Sequence, residues 1–357
     1  MTGAGKSWRR LRVARREQEC AGVVSLHLAP ADGSALPAFL PGQFLTFRVP
    51  DDAGGFTPRN YSLSSDPEAR SHWRVSVKRH PGGLGSGHMH VAMQVGDEID
   101  VLGPKGEFTL RAGSSRPVIL LAGGIGITPL LAMAHALARD GRRPATLIHA
   151  CESGAVQPFR RELGVLAMGS SCIRIATCLA NPTPADKAER AHQFEGLVDA
   201  RVLRSLLPIG DYEAYLCGPP GFMQAMYDLL IELGVREENI AYEFFGPARR
   251  LTHAPAPSAP AAPQPVPQDL VASGQTIVRF TRSGREAVWD GAHRTLLELA
   301  EAQGLQPAFS CRNGICNTCL CAVEGPVHYV EEPLDMPENG HALLCCAVPD
   351  GPVTVDL

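Results

Sequence analysis

Short runs of alternating apolar and polar residues mark the N-terminal part of the chain: Val23–Leu28, Phe44–Val49, Trp73–Lys78 and Glu98–Leu102, with Gly/Pro turns between them. A period of two turns one face of each run into a core, so these runs predict an antiparallel barrel over residues 1–113. The Arg-rich Met1–Arg16 reads as a basic lead-in to its first strand. From residue 114 the texture changes. Val118-Ile119-Leu120-Leu121-Ala122 is apolar throughout, as a strand covered on both faces must be. Glycines follow it, then a helical run from Pro129 to Arg139. Strand-like Thr146–Ala150, Ile173–Cys178 and Tyr212–Cys217 alternate with helical segments such as Gly221–Leu233, which predicts βαβ units on a parallel sheet. No internal repeat is visible.

Ala254–Gln268 reads APAPSAPAAPQPVPQ, with six prolines in fifteen residues and no charge. Such a stretch cannot bury a core and favours polyproline II, up to about 45 Å at ~3.1 Å per residue. It is either a passive spacer or a tether whose reach matters to a terminal module. The expected divisions are 1–113, 114–253, the 254–268 linker and 269–357. With 357 residues, 45% hydrophobic and 20% charged, the chain is long enough for several globular cores. No apolar run approaches the ~20 residues of a membrane span, which suits a soluble, cytoplasmic protein. The net charge of −4 argues against generic nucleic-acid binding. It hides an asymmetry: from Asp269 onward 12 Asp/Glu face 5 Lys/Arg, a net of −7, against +3 before it.

Six of the 11 cysteines (Cys311, Cys316, Cys319, Cys321, Cys345 and Cys346) fall in the last 47 residues. A disulfide scaffold needs a secretory context, and Arg9-Arg10 is followed by no apolar stretch that would provide one. In a reducing compartment, clustered cysteines bind metal or carry redox chemistry. Cys311-x4-Cys316-x2-Cys319, with Cys345 some 26 residues on, is plant-type 2Fe-2S ligand spacing. Arg312, Asn313, Gly314 and Asn317 suit a tight loop whose N–H groups bond cluster sulfurs. Structural zinc is the alternative, but zinc sites usually use two close Cys pairs and only one exists here. Cys321 and Cys346 flank the set as packing residues, with Cys346 competing with Cys345 for the fourth place.

Two further motifs carry candidate chemistry. Gly123-Gly124-Ile125-Gly126-Ile127-Thr128-Pro129 follows a buried strand and opens a helix, with Pro129 at a first helical position. Glycines let backbone approach a pyrophosphate, and the helix N-terminus offers free N–H groups; a plain tight turn is the alternative. Cys217-Gly218-Pro219-Pro220, closing another strand, would be the second dinucleotide element. On the barrel, Arg59-Asn60-Tyr61-Ser62 offers a phosphate partner, a stacking ring and a hydroxyl, though an ordinary strand would also read this way. Val77-Lys78-Arg79 and the loop Gly82–Ser86, before a helix-like His88–Val95, support the first reading. The 12 histidines show no metal spacing; His149, His88 and His90 read as structural.

With these motifs in view, the sequence resembles the ferredoxin–NADP reductase superfamily fused to a C-terminal plant-type ferredoxin module. This is the layout of reductases for multi-component oxygenases. Residues about 40–250 look closest to the reductase portion of flavohaemoglobins, through Pro41-Gly42-Gln43-Phe44, Arg59–Ser62, Val77–Arg79, Gly123–Pro129, Tyr215–Gly218, Gly221–Gln224 and Tyr242–Pro247. Only about 40 residues precede Pro41, which leaves no room for a globin and implies no haem chemistry. The implied fold is multidomain: an antiparallel β-barrel flavin domain, an α/β parallel-sheet nucleotide domain and a β-grasp ferredoxin-like α+β domain.

The resemblance implies roles. Arg59, Asn60, Tyr61 and Ser62 would bind flavin, with Val77, Lys78, Gly83 and Ser86 around its ring edge and phosphates. Glu243, Phe244, Phe245, Gly246 and Pro247 would border the isoalloxazine. Gly123, Gly124, Gly126, Thr128 and Pro129 would hold the coenzyme, with Cys217, Gly218 and Pro219 beside the nicotinamide. Ser62, Glu243 and Cys217 form the implied catalytic set, and Cys311, Cys316, Cys319 and Cys345 the implied cluster ligands. The phthalate-dioxygenase-reductase group carries FMN, but the matches at Gly82–Ser86 and Tyr242–Pro247 favour FAD. Glu152, just past the strand ending His149-Ala150, favours NADH, although Arg160 and Arg161 could admit NADPH. The expected activity is NAD(P)H-dependent electron transfer to a terminal oxygenase, Rieske-type foremost, whose basic patch meets the acidic terminal module. Alternatives are a reductase for a hybrid-cluster protein, a desaturase or a cytochrome P450, or a flavin- or metal-binding regulatory module without turnover.

Overall fold

The computed structural model describes residues 8–51, 54–207, 210–246, 250–253 and 276–357. The proline-rich stretch and Pro247 lie outside the described residues. The chain divides into two compact units, Met1–Phe245 and Gly246–Leu357.

The first unit contains two sheets. Strands β1 (Arg9–Cys20), β2 (Val23–Pro30), β3 (Phe44–Pro50), β4 (Phe56–Ser62), β5 (Trp73–Lys78) and β6 (Glu98–Lys105) form an antiparallel sheet in the order β4-β3-β6-β1-β2-β5. An isolated bridge between Leu63 and Val75 links its two edges, so the sheet curls towards closure. The alternation seen in the sequence fills the inside with Leu11, Leu26, Leu28, Leu45, Phe47, Trp73 and Val75, none of them exposed. Helix α1 covers Leu84–Val91, four residues earlier than the expected start at His88. It begins directly after the Gly82-Gly83 turn, and it stops early because the Gln94 N–H turns to the Asp97 carboxylate (2.7 Å).

The second sheet is wholly parallel: β7 (Val118–Gly123), β8 (Ala145–Cys151), β9 (Ile173–Leu179), β10 (Phe194–Glu195), β11 (Glu213–Cys217) and β12 (Ile240–Glu243), in the order β10-β9-β8-β7-β11-β12. Every residue of β7 is buried, which is why it reads as an unbroken apolar run. The connecting helices are α2 (Ile127–Asp140), α3 (Arg160–Gly169), α4 (Pro184–Ala188), α5 (Ala200–Leu206) and α6 (Pro220–Glu232).

A buried ion pair ties barrel to α/β part. Arg74 of β5 reaches Glu162 of α3 through two bonds (2.6 and 3.0 Å), and His135 of α2 meets the same carboxylate at 2.6 Å. Arg74 also bonds the Ser64 hydroxyl and carbonyl and lies 4.8 Å over the ring of Phe159. Phe159 is buried and left-handed (φ 60°), a strained aromatic that this stacking holds in place.

The second unit has a sheet in the order β14-β13-β19-β15-β17 and a ribbon of β16 with β18. These strands are β13 (Thr276–Phe280), β14 (Arg285–Trp289), β15 (Leu320–Glu324), β16 (Val327–Tyr329), β17 (His341–Leu343), β18 (Ala347–Pro349) and β19 (Val353–Val355). Helix α7 (Leu296–Ala302) starts at Thr295, whose hydroxyl caps the Glu298 N–H, and buries Leu296, Leu297, Leu299 and Ala300. The mixed sheet with α7 packed on it is the β-grasp arrangement expected. Among the described residues no helix is long and apolar enough to cross a membrane.

Burial alone would raise the Glu162 pKa, but the bonds from His135 and Arg74 outweigh it and hold the carboxyl at about 2. Its contribution is therefore complete above the ordinary carboxylate value of about 4.5 and fades as pH falls towards about 2. Arg74→Leu leaves the carboxylate partly buried without its main partner and should destabilise by about 3 kcal/mol at pH 7. Urea unfolding followed by far-UV circular dichroism should show this loss and show it shrinking below pH 4.

Candidate functional site

Strand order reverses beside β7. The chain runs outward through β8, β9 and β10, then returns to β11 on the other side. At such a switch point the loops leaving neighbouring strands diverge and open a crevice at the carboxyl edge. The glycine-rich loop leaves β7 there, and Cys217-Gly218-Pro219 leaves β11. Gly124–Gly126 form a single 3-10 turn before α2, so Pro129 is the third helical residue rather than the first expected. No side chain caps α2 at Gly126; the Ile127 N–H closes back onto the Gly124 carbonyl, and Pro129 carries no N–H. A Cβ on Gly126 would lie 2.2 Å from the Cys217 carbonyl oxygen, so only glycine lets the two loops pass this closely. The Thr128 hydroxyl donates to the Ile125 carbonyl at 3.1 Å and shapes the loop from within.

The ends of three strands bring the implied catalytic set together. Ser62 closes β4, Cys217 closes β11, and Glu243 closes β12 in register with Cys217. The Ser62 hydroxyl donates to Glu243 Oε2 at 3.4 Å, across 181 residues of sequence. Glu243 is half-buried as a residue, and desolvation of its carboxyl pushes the pKa up to about 8 despite the serine hydrogen bond. Cys217 is fully buried; burial first, and the Glu243 charge second, raise its thiol pKa well above the usual value. The site therefore holds a neutral thiol and a carboxyl able to carry a proton near neutral pH. Phe244 is buried and meets the Tyr242 ring edge-on at 5.7 Å, whereas Phe245 is exposed. Gly246 is the first residue of the second unit.

Around the barrel edge, Arg59 and Tyr61 converge on α1. A Cβ on Gly85 would come within 2.8 Å of the Arg59 stem and 2.9 Å of the Tyr61 hydroxyl. Gly83 precedes α1 without a side-chain cap, so an exposed arginine and open N–H groups face the same region, the donor set a pyrophosphate needs. Tyr61 packs edge-on against Phe47 at 5.5 Å, and Asn60 Oδ1 accepts from the Thr46 hydroxyl at 2.8 Å. The Val77 side chain lies in the barrel core and its carbonyl meets His90 Nε2 at 2.8 Å. Lys78 is exposed. The Ser86 hydroxyl accepts from the His80 N–H at 3.0 Å and braces the Gly82–Gly83 turn.

In the second unit the cysteine loop turns through three left-handed residues, Arg312 (φ 53°), Gly314 (φ 64°) and Asn317 (φ 57°). N–H groups then point at sulfur: Cys311 N to Cys316 Sγ and Asn313 N to Cys311 Sγ at 3.5 Å, and Gly314 N to Cys345 Sγ at 3.3 Å. The thiols act on one another as neighbours, Cys311 with Cys316 and Cys319 with Cys345, and Cys345 with Cys346 as well. These neighbours hold two of the thiols below the usual thiol value, Cys316 beside Cys311, and Cys345 beside Cys319 and Cys346. Among the described residues no three His, Cys, Asp or Glu side chains group as a single-ion site. The spacing of Cys311, Cys316, Cys319 and Cys345, with backbone donors aimed at their sulfurs, fits a two-iron cluster. Cys321 Sγ turns to the Asp356 carbonyl (3.2 Å) and Cys346 Sγ to that of Leu343 (3.5 Å). One support escaped sequence reading: Arg312 bonds Glu301 of α7 at 2.5 and 3.1 Å and lies 3.8 Å over Phe309. Only the odd placement of a single arginine between two ligand cysteines hinted at it.

Comparison with known proteins agrees with this geometry. Family models match in chain order: an oxidoreductase FAD-binding domain at residues 10–110, an oxidoreductase NAD-binding domain at 120–228 and a 2Fe-2S iron-sulfur cluster binding domain at 278–350. A flavohemoprotein from Bordetella pertussis is 40% identical over 249 residues, 68% of this chain and 62% of the relative, so the chain spans under two thirds of that protein's length. The FAD/NAD-binding domain of nitric oxide dioxygenase from Vibrio cholerae matches with TM-score 0.60 and 33% identity, over 67% of this chain and 98% of that one. Phthalate dioxygenase reductase, described as a modular structure for electron transfer from pyridine nucleotides to [2Fe-2S], matches with TM-score 0.59 and 26% identity over 98% of both chains. Domain order, sheet topology and these likenesses together show that the chain belongs to the FAD- and NAD-dependent oxidoreductases of the ferredoxin–NADP reductase superfamily, with a C-terminal 2Fe-2S domain.

Proposed function

We propose that this oxidoreductase is the reductase component of a terminal oxygenase of the Rieske type, drawing its electrons from NADH. The observation that carries the reading is that one chain holds a glycine-rich loop at the β7/β11 switch point and a cysteine loop whose backbone N–H groups point at sulfur. Likeness to phthalate dioxygenase reductase over 98% of both chains supports the oxygenase assignment. Bound FAD would take a hydride from NADH and release electrons singly, and the cluster would carry one electron at a time.

The chain's own residues prepare these steps. Arg59 and the open N–H groups of α1 would hold the FAD pyrophosphate, with Tyr61 against the ring system and Ser62 at its reactive edge. Lys78 and the Gly83–Ser86 turn would border it, with Asn60 and Val77 keeping the strands in place. Gly123, Gly124, Gly126 and the start of α2, including Thr128 and Pro129, would receive the coenzyme pyrophosphate. Cys217, Gly218 and Pro219 would flank the nicotinamide. Glu243 would hold a proton beside Ser62, and Phe244 and Phe245 would exclude water. Cys311 and Cys316 would serve one iron, Cys319 and Cys345 the other.

Coenzyme choice follows from Glu152. It is exposed at the end of β8, and one of its oxygens accepts from Asn181 Nδ2 at 2.5 Å, which holds the carboxylate ready for a ribose 2′-hydroxyl. Arg160 is engaged by Glu189 at 2.9 Å, which weakens the case for a 2′-phosphate. kcat/KM with ferricyanide should be higher for NADH than NADPH by on the order of tenfold or more; a preference for NADPH contradicts the Glu152 reading.

The partner reading rests on charge. No Lys or Arg follows Arg312. Glu331, Asp335 and Glu338 are exposed on a segment that the Leu334 N–H ties to the Gly314 carbonyl at 2.8 Å, beside the cysteine loop. Such a surface suits an acceptor with a basic patch. With a Rieske-type oxygenase as acceptor, raising ionic strength should slow NADH-driven reduction while leaving turnover with ferricyanide nearly unchanged. Equal responses would exclude electrostatic docking.

A further inference from the structure

The glycine-rich loop after β7 is held from beneath by a histidine. His149 lies near the end of β8, in register with Ala122 of β7, and is completely buried. Its Nε2 is 3.0 Å from the Gly124 carbonyl oxygen. A carbonyl can only accept, so the ring proton sits on Nε2. Nδ1, left with a bare lone pair in this tautomer, has no hydrogen-bond partner among the described residues. Burial lowers the His149 pKa to about 4, which keeps the ring a neutral donor at working pH. Cys151 sets its Sγ 3.2 Å from the same Nε2, and burial pushes its thiol up to about 12. The Ile127 N–H also closes onto the Gly124 carbonyl.

A trans peptide points its C=O and N–H in opposite directions. Fixing the Gly124 carbonyl towards β8 therefore aims the Ile125 N–H the other way, and Gly124 and Ile125 are both half-exposed. Gly124 is left-handed (φ +54°), and without a Cβ its peptide can turn over at little steric cost. An unanchored glycine loop would have to be ordered by its ligand, and that ordering would weaken binding.

We propose that His149 is a positioning residue for the coenzyme: its Nε2–H locks the Gly124–Ile125 peptide so that the Ile125 N–H is set towards the pyrophosphate. The proposal rests on the reading that the loop after β7 holds the coenzyme. Being completely buried beneath the loop, the imidazole would touch neither nicotinamide nor flavin, so its effect would fall on binding and not on hydride transfer.

The test uses the flavin-loaded full-length protein. NAD⁺ is titrated against the visible flavin spectrum, and NADH–ferricyanide turnover supplies KM and kcat. His149→Met, similar in bulk but unable to donate, should raise the NAD⁺ Kd and the NADH KM about tenfold with kcat within about twofold. His149→Gln, which keeps an N–H at comparable reach, should recover most of the loss. Should the Met protein not retain flavin, His149→Asn makes the same comparison with Gln, its shorter amide falling short of Gly124. Non-donating variants that bind NAD⁺ like wild type overturn the proposal, as does a fall in kcat that matches the rise in KM. A wild-type holoenzyme whose flavin spectrum ignores NAD⁺ overturns the coenzyme reading itself, and the proposal with it.

Discussion

The reversal of strand order beside β7 is the constraint on which the nucleotide end of the molecule depends. A parallel sheet must carry its loops over its carboxyl edge, and only at the reversal do two neighbouring loops part. That single topological fact places the glycine loop, Cys217 and Glu243 along one edge. The close pass of Gly126 against the Cys217 carbonyl then fixes the spacing of the two loops to within an atom's radius. The barrel joins this edge through Ser62, whose hydroxyl reaches Glu243. The Arg74–Glu162–His135 cluster ties β5 to α2 and α3 elsewhere in the same unit. The Ser62–Glu243 contact therefore depends on strands far apart in sequence being held together by charge as well as by packing.

The second unit meets a different demand. A small domain has little core to hold a strained loop, yet its cysteine loop contains three left-handed residues. Stacking of Arg312 on Phe309 and its two bonds to Glu301 anchor that loop to α7. The anchoring turns N–H groups inward on to sulfur, where they stabilise negative charge, while the surrounding acidic side chains face outward. An acidic exterior around a negatively charged centre is unfavourable in isolation. It becomes useful when the charge is offered to a basic partner.

Much of this was legible in the sequence because the signals are local. Strand β7 is buried on both faces, so Val118–Ala122 could hardly be anything else, and the cysteine spacing names its own chemistry. What was misread lay at the ends of elements. Helix α1 begins at Leu84 because Ser86 braces the Gly82–Gly83 turn, a contact that hydrophobic periodicity does not encode. Pro129 moved inward from the helix start because a 3-10 turn precedes α2. The side chain of Val77 faces the core although its neighbour Lys78 is exposed, as alternation on a strand requires. Arg74 with Glu162 and Ser62 with Glu243 lie 88 and 181 residues apart, and no single-sequence pattern links them. His149 read as structural, and its position under Gly124 became visible only once β8 was seen beside β7.

The central claim is that one chain couples coenzyme oxidation to a 2Fe-2S centre through flavin. Its most direct test is an anaerobic NADH titration of the purified protein followed by visible absorption. Flavin bands on a broad cluster shoulder should both bleach, and about one and a half NADH should suffice per chain, since flavin takes two electrons and the cluster one. Flavin bleaching alone, complete at one NADH with no cluster shoulder present, would contradict the account and return the cysteine loop to zinc.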